Sequence, residues 1–414
     1  MRSIRRFGCL AVSLLVVLAG CGNGDGGNGA GAAGAAAKPM ADAKVATGTP
    51  IKVGLVNTET TGGIPGWRVG SEVAADYVNR QLGGINGHPI KYEVCKTQGT
   101  PESAIDCANR LVEAKVAFVQ VGAEAGGDAM LPILNSAKIP LVGHTAIGQQ
   151  QQVDPNAVFL GAAIEALFAA PLKFYKDKGK KSITFFFSDG PGAKAWADGL
   201  LKPVADKLGI HYDIVQYSPA NPDWSVLAAT AMAGKPDVIA GLGLVDASCT
   251  ALVTALRTSG YAGDVYVGGC SKFIEAVPEQ AVGVQIFSDG WRDDVKDVAP
   301  AGKKAELETY VQAMTAAGHG DLLSTAGGGF GDTMTIARIL TAAKGDLTGP
   351  GVLKSLKAAK SVDAFAGPQI SCDGTAWKGT TACSNSVIFY QVESGGKIGV
   401  ASDGFVGMSG LAPQ

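Results

Sequence analysis

The sequence predicts an α/β protein made of two doubly wound lobes, each built on a parallel sheet. The first observation is a series of short β-branched and aromatic runs that do not alternate with polar residues, such as "IKVGLVNT" at 51–58. Such strands are typical of parallel sheets covered on both faces. The second observation is that helix-length amphipathic segments separate these runs, which places helices on the faces of the sheets. The third is that two such series follow one another, starting at Ile51 and at Ser182.

The first series alternates strands and helices from Ile51 to about residue 145. After the strand at 51–58, the strand-like runs are "IKYEVCK" at 90–96, "AFVQVG" at 117–122 and "PLVGHT" at 140–145. Helices are predicted at 65–82 and 100–114. Thr100 is a suitable N-cap for the second helix, and Pro101 suits its first position.

The second series starts with "SITFFFSD" at 182–189. Further strand-like runs are "YDIVQYS" at 212–218, "DVIAGLGL" at 237–244 and "DVYVGG" at 264–269. Between the first two of these four strands, apolar residues recur every four positions and predict the buried face of a helix. They are Trp196, Leu200, Val204 and Leu208.

The N-terminal region is predicted to be a secretory signal followed by an anchor and a spacer. Residues 1–20 combine early arginines with a short apolar core that ends in small residues. "LAGC", residues 18–21, resembles the lipobox of bacterial lipoproteins, in which the cysteine receives lipid; Cys21 is therefore the predicted lipidation site. Residues 21–49 are mostly Gly, Ala and small polar residues, a composition that predicts a flexible tether.

Composition limits the possible functions. The chain of 414 residues is 46% hydrophobic and carries a formal net charge of −2. It contains no basic tract of the kind that binds nucleic acid, and no second apolar stretch predicts a membrane span. Nucleic acid is therefore not an expected partner.

The cysteines fit an exported protein. Of eight cysteines, Cys9 lies in the signal and Cys21 is assigned to lipid. The other six fall in close pairs: Cys95 with Cys107, Cys249 with Cys270, and Cys372 with Cys383. Disulfides between neighbours close the shortest loops, although other pairings are possible. A metal site is the alternative, but no C-x-x-C is present and the histidines are scattered, so we expect neither a metal nor a cofactor.

Several segments together resemble the type I periplasmic binding proteins, in particular the leucine/isoleucine/valine-binding branch of ABC-importer receptors. They include "IKVGLVNTETTG", "LGGINGHPIKYEV", "AFVQVGAEAGG", "IPLVGHTA", "SITFFFSDGPGAKAWADGL" and "ALRTSGYAGDVYVGG". The resemblance covers about Ile51 to Val400. It implies that the two lobes are joined by a three-segment hinge, with crossings near Ala163, Gly290 and Ala366. The implied limits are 50–163 and 291–365 for lobe 1, 164–290 and 366–403 for lobe 2, and 404–414 for a C-terminal tail.

Candidate ligand contacts lie in loops at the carboxyl ends of strands, where open α/β sheets bind ligands. The predicted set is Trp67, Glu124, His144, Thr145, Asp189, Asp246 and Trp291. Of these, Thr145 and Glu124 align with loops that hold the α-amino and α-carboxylate groups in amino-acid-binding relatives. Pro191 stands where those relatives carry a tyrosine, so another small polar solute remains open.

Each candidate also has a structural interpretation. The tryptophans could be core residues, and His144 could be a structural histidine. Glu124, Asp189 and Asp246 could cap turns or helices, because carboxylates favour helix N-termini.

The predicted function is that of an extracytoplasmic solute-binding lipoprotein, anchored by lipid to the cell membrane. It would bind an amino acid or related small polar solute between its lobes and deliver it to an ABC permease, without catalysis. A sensor lipoprotein with the same lobes is the alternative. An exported nucleotide-binding enzyme is disfavoured, because "GLGLVD" at 241–246 has Asp where the phosphate-binding fingerprint requires a third glycine. The chain also contains no G-x-S-x-G or H-E-x-x-H motif.

Overall fold

The computed structural model describes residues 43–59, 65–122, 124–190 and 193–412, except for the side chain of Trp196. The predicted signal, Cys21 and residues 22–42 of the predicted tether lie outside these ranges. The strands are β1 (Ile51–Thr58), β2 (Ile90–Thr97), β3 (Phe118–Val121), β4 (Leu141–Gly143), β5 (Ala157–Ala162), β6 (Ser182–Ser188), β7 (His211–Tyr217), β8 (Val238–Leu242), β9 (Asp264–Gly268), β10 (Gln285–Ser288), β11 (Val362–Asp363), β12 (Gln369–Ile370), β13 (Ala382–Ser384), β14 (Ser386–Val392) and β15 (Ile398–Gly407). The helices are α1 (Gly66–Gln81), α2 (Pro101–Glu113), α3 (Gly127–Ser136), α4 (Gln149–Val153), α5 (Ile164–Asp177), α6 (Ala193–Leu208), α7 (Trp224–Ala233), α8 (Asp246–Thr258), α9 (Phe273–Ala276), α10 (Pro278–Ala281), α11 (Ala301–Ala316), α12 (Leu323–Ala343) and α13 (Gly349–Lys357).

The first sheet has the strand order β13-β5-β4-β3-β1-β2, and all of its neighbouring strands are parallel. Every residue of β3, β4 and β5 is buried. Burial on both faces explains why these runs are continuously apolar in the sequence. The sheet belongs to the first lobe, as predicted.

The second sheet has the order β15-β14-β10-β9-β8-β6-β7. Strands β6 to β10 pair in parallel, while β14 pairs antiparallel with both β10 and β15. The prediction of two doubly wound parallel-sheet lobes is confirmed, with an antiparallel edge added to the second sheet.

The helices predicted at 65–82, at 100–114 and after the strand at 182–189 are present as α1, α2 and α6, but the buried face of α6 differs from the predicted one. The Thr100 side chain accepts a hydrogen bond from the Ser103 amide at the start of α2, which confirms the predicted cap. In α6, Val204 is buried as predicted, but Leu200 and Leu208 are only half-buried. The buried face instead includes Ala197, Leu201, Val204 and Ala205, because a helix keeps one face inward at spacings of three and four rather than four alone.

The chain passes between the two sheets three times. It leaves the first sheet after β5 and returns from the second after β10, close to the predicted crossings at Ala163 and Gly290. The third crossing, predicted near Ala366, is wrong. Residues 382–384 form β13, which pairs in parallel with β5, so the chain leaves the first sheet only between β13 and β14.

Two further boundaries differ from the predictions. The segment 43–49 was assigned to the tether, but it packs on the first lobe, where the Ala46 amide donates to the Asn79 carbonyl at 2.8 Å and the Gly48 amide to the Gly87 carbonyl at 2.8 Å. The predicted tail from residue 404 begins too early, because β15 continues to Gly407 and pairs with β14. In both cases hydrogen bonds to a distant part of the backbone order the segment.

Three disulfides form in the predicted pairs: Cys95–Cys107, Cys249–Cys270 and Cys372–Cys383. The first joins β2 to α2, and the second joins α8 to the turn after β9. The third closes the short loop that leads into β13. Within the described ranges, no helix has both the length and the apolar character needed to cross a bilayer.

Candidate functional site

A cavity of about 370 Å³ lies where the chain crosses between the two sheets. Its size falls in the range of pockets that hold small molecules. Residues of both lobes and of the second crossing line it, including His144, Phe287, Asp289, Trp291, Tyr310 and Asp332. Two of these, His144 and Trp291, belong to the set predicted from the sequence.

His144 lies between two carboxylates. It directly follows β4, and its Nδ1 is 2.9 Å from Asp332 Oδ1 on α12. Its Nε2 is 3.0 Å from Asp289 Oδ2, in the segment that follows β10. The imidazole therefore joins a helix of the first lobe to the second crossing between the sheets. We call His144, Asp289 and Asp332 the histidine clasp.

The two carboxylates favour the protonated imidazole. Burial alone would lower the pKa of His144, but the charge of Asp332 and the hydrogen bond to Asp289 outweigh burial and raise that pKa well above its usual value. When protonated, the ring donates from both nitrogens and serves both carboxylates. The clasp is therefore strongest when His144 carries its proton.

Close helix packing positions Asp332. A Cβ on Gly329 of α12 would lie 1.8 Å from the Trp67 carbonyl oxygen, so only glycine permits this approach to α1. The contact brings the Trp67 indole N–H within 3.3 Å of Asp332 Oδ2. Trp67 thus holds the second oxygen of the carboxylate whose first oxygen meets His144.

Two buried polar atoms near the cavity have no hydrogen-bond partner among the described residues: Asp289 Oδ1 and the Tyr266 hydroxyl. Tyr266 is fully buried in β9, and its ring packs beside Phe287, which lines the cavity. Burial and the nearby Asp289 charge raise the pKa of Tyr266, so the hydroxyl keeps its proton and remains a donor. A buried donor and a buried acceptor therefore both lie beside the cavity; Asp289 lines it, whereas Tyr266 lies behind the lining residue Phe287. Leaving either group unsatisfied is unfavourable.

Trp291 connects the crossing segments. Its backbone amide donates to the Ala366 carbonyl at 2.7 Å, and its ring meets the Phe405 ring edge-on at 6.4 Å. The Tyr390 hydroxyl of β14 donates to the Gly290 carbonyl at 3.1 Å. Trp291 therefore supports the junction of the lobes in addition to lining the cavity.

Glu124 and Asp246 bind protein groups instead of lining this cavity. The buried Glu124 carboxylate accepts from the Thr58 and Thr97 hydroxyls at 2.9 and 2.6 Å, and from the Gly126 amide at 3.0 Å before α3. Asp246 Oδ1 accepts from the amides of residues 271 and 272 at 3.0 and 3.1 Å, before α9. Both carboxylates hold turns, in line with the structural interpretation of each.

Thr145 and Asp189 occupy the carboxyl ends of strands in the two sheets. Thr145 is buried just after β4, whereas Asp189 is exposed just after β6. Neither lines the 370 Å³ cavity. Their ligand-binding roles remain predictions.

Sequence reasoning did not assign roles to Asp332, Asp289 or Tyr266. A signal for Asp332 was present, because it is the only charged residue of α12 before Arg338. Asp289 lies beside the crossing predicted near Gly290, but no pattern in the sequence points to its carboxylate. Tyr266 gave no signal, since a tyrosine in a buried strand is ordinary. Among the described residues, no group of three His, Cys, Asp or Glu side chains is arranged to hold a metal ion.

Comparison with known proteins identifies the family. A family model described as periplasmic binding protein matches residues 50–397. No curated protein sequence matches the chain. A leucine binding protein from Thermotoga maritima superimposes with a TM-score of 0.66 at 17% identity, covering 86% of this chain and 99% of that one.

Two other solved structures have similar folds. A branched-chain amino acid transporter substrate binding protein from Streptococcus pneumoniae, in complex with isoleucine, has a TM-score of 0.67 at 18% identity and covers 87% of this chain and 100% of that one. A fatty acid ABC transporter substrate-binding protein from Thermomonospora curvata has a TM-score of 0.66 at 16% identity, with coverages of 89% and 95%. The TM-scores show a shared fold despite the low sequence identities, and the family match covers most of the chain. The chain belongs to the periplasmic binding protein family.

Proposed function

We propose that this protein is the extracytoplasmic solute-binding component of an ABC importer. It captures a small polar solute at the junction of its lobes and delivers it to a membrane permease. The family match and the names of two similar structures, both of which are transporter substrate-binding proteins, support this assignment. The observation that carries it is the cavity at the lobe crossing, with a buried donor and a buried acceptor beside it.

The chemistry of the cavity limits the solute. Asp289 Oδ1 needs a hydrogen-bond donor and the Tyr266 hydroxyl needs an acceptor. A solute with an amine or amide beside a carbonyl or carboxylate supplies both. Amino acids and their amides are therefore the first class to test, and long apolar chains fit this end of the cavity less well.

Hinge closure completes the proposed mechanism. Thr145 and Asp189 follow strands of different sheets, so we propose that closure of the lobes brings them towards the bound solute. A solute that contacts both lobes has more affinity for the closed form and shifts the population towards it. Small-angle scattering with and without a saturating solute tests this step: the radius of gyration should fall, and an unchanged radius with bound solute would exclude closure.

A thermal-shift screen over amino acids, amides, urea and small carboxylates would identify the solute. A ligand present at about 1,000 times its Kd stabilises the folded state by about 4 kcal/mol, which is a readily measured shift. The expected result is one chemical class that raises the Tm. No shift with any amine-containing or amide-containing solute would contradict the proposed class.

Tyr266→Phe is the sharpest variant for the site. It removes a hydroxyl that bonds no described residue, so the Tm without solute should not fall. The solute-induced shift should shrink, with about 2- to 10-fold weaker binding for one lost hydrogen bond. Tyr175→Phe is the matched control, because that buried hydroxyl donates to Gln285 Oε1 at 2.8 Å. It should lower the Tm but leave the solute-induced shift intact.

The proposed anchor is tested separately. Mass spectrometry of protein extracted from membranes should detect a mature chain that begins at a lipid-modified Cys21. An unmodified cysteine, or an intact segment 1–20, would exclude the anchor without affecting the assignment of the cavity.

A further inference from the structure

A set of lysines lies on the first lobe at the amino ends of its strands, the edge opposite the one where ligands bind in such sheets. We call Lys52, Lys115, Lys138 and Lys344 the basic face. Lys52, Lys115 and Lys344 line a broad groove of about 1,020 Å³, and the Lys138 carbonyl lies at the start of α13, beside the groove. All four lysines are exposed.

The charges of the basic face are not neutralised within the described part of the chain. None of its four lysines forms a salt bridge there, and the Lys52 ammonium donates to the Ala114 carbonyl. Asp346 is the acidic residue in the groove lining, and its carboxylate holds the Thr348 amide and hydroxyl.

Four lysines of the second lobe, by comparison, each pair with an aspartate. The pairs are Lys173–Asp177, Lys180–Asp264, Lys194–Asp198 and Lys202–Asp206. The four lysines of the basic face have no such carboxylate partner among the described residues, and together they leave positive charge uncompensated around one groove.

Three lysines of the basic face occupy a conformation that favours glycine. Lys115, Lys138 and Lys344 have φ values of +56°, +56° and +50° at the ends of α2, α3 and α12. At the corresponding positive-φ positions, Gly179, Gly209, Gly260 and Lys235 follow helices of the second lobe, and Gly83 and Gly318 follow α1 and α11 of the first. Helix dipoles favour a cation at a helix C-terminus, which stabilises the positive charge of Lys115, Lys138 and Lys344 at this edge.

The N-terminal segment joins the lobe at this same edge. Residues 44–48 run along the end of α1, and Thr49 and Pro50 line the groove. Two large apolar side chains beside the entry point are exposed, Val45 by 66% and Leu82 by 49%. Cys21 precedes Ala43 by 22 positions. A Gly-rich chain of that length has a root-mean-square extension of about 25 Å.

We propose that the basic face docks on anionic phospholipid headgroups of the membrane. This inference rests on the proposed extracytoplasmic function and anchor, and it adds a defined orientation. The amino-end edge of the first lobe faces the bilayer. Uncompensated lysines supply the attraction, and Val45 and Leu82 supply apolar contact at the same edge.

Vesicle co-sedimentation of the full chain tests the proposal. Every variant also carries Cys21→Ser, which prevents lipidation, and every variant has the same N-terminal segment, so differences in vesicle binding come from the lysines alone. The vesicles contain either phosphatidylcholine alone or phosphatidylcholine with about 30% phosphatidylglycerol, which is anionic. The test variant combines Lys52→Gln, Lys115→Gln and Lys344→Gln. The control combines Lys194→Gln, Lys202→Gln and Lys207→Gln, three exposed lysines of α6, and causes the same change in net charge.

The test variant should bind the anionic vesicles about 100-fold more weakly than the parent, and the control should bind like the parent. Added salt should weaken binding of the parent and reduce the difference between variants. An equal loss of vesicle binding in the test and control variants would mean that only net charge matters, and would overturn the proposal. Equal binding of the parent to both kinds of vesicle would also overturn it. An unchanged solute-induced thermal shift in the test variant keeps this outcome separate from that of the proposed function.

Discussion

Replacement of His144 tests the histidine clasp directly. His144→Ala leaves Asp289 and Asp332 facing one another with no cation between them, and the Asp332 side chain is only 6% exposed. Breaking a buried ion pair by removing one partner costs about 3–5 kcal/mol, and the 26% exposure of the His144 side chain reduces that to about 2–3 kcal/mol. For a chain of this size we expect the Tm to fall by about 3 °C.

The effect should depend on pH in a defined direction. Because the pKa of His144 is raised in the folded protein, its stabilising contribution is complete below the unfolded value of 6.5. It is lost as the pH rises through the folded pKa. The difference in Tm between wild type and His144→Ala should therefore be largest near pH 6 and shrink at higher pH, as measured by calorimetry in matched buffers.

His211→Ala is the control for the removal of an imidazole. His211 lies 3.2 Å from Asp213, but both side chains are more than 60% exposed. Exposed pairs contribute little, so the Tm should change by less than about 1 °C. A second variant, His144→Ala with Asp332→Asn, should recover part of the lost stability because it removes one of the two facing charges. A fall in Tm for His144→Ala that is the same at pH 6 and pH 9 would refute the reasoning.

Three further predictions concern residues away from the cavity. Replacing Cys249 and Cys270 together by serine should lower the free energy of unfolding by about 2–4 kcal/mol in urea titration under oxidising conditions, and no change would mean that the disulfide is absent in solution. Thr100→Ala should cost about 1 kcal/mol, because it removes the cap of α2, whereas Thr100→Ser should retain most of it; equal losses would argue against capping. Glu124→Gln should lower the Tm, because it weakens charge-assisted bonds to two hydroxyls and an amide, but should leave the solute-induced shift largely unchanged. Loss of solute binding at an unaltered Tm would restore Glu124 to the ligand site.

Local patterns in the sequence were sufficient for most of the fold. The apolar runs at 51–58 and 182–189 predicted β1 and β6, and Thr100 predicted the start of α2. These features depend on residues close together in the chain, and the type and spacing of those residues predict their burial and hydrogen bonding. The third crossing depends on a distant partner. Residues 382–384 pair with β5, more than 200 positions earlier, and no local sequence pattern predicts this pairing.

The candidate site was predicted only in part, for the same reason. Position after a strand singled out His144 and Trp291, both of which line the cavity. It singled out Glu124 and Asp246 equally well, although their carboxylates are held by protein donors. Loop position identifies residues near an edge of a sheet, but it does not tell a ligand contact from a turn-holding side chain.

By itself, the sequence determined two parallel-sheet lobes and the resemblance to the family to which the chain belongs, and it favoured disulfides between neighbouring cysteines without excluding other pairings. Only the tertiary structure decided that Asp289 and Asp332 meet at His144, across 145 and 188 positions of sequence, and that Tyr266 is buried without a partner among the described residues. It also brought Lys52, Lys115 and Lys344 to one groove. The physical reason is that strand and helix formation follow from local side-chain chemistry. The charge and hydrogen-bonding state of a site depends instead on which distant groups the packed sheets bring within about 3 Å of one another.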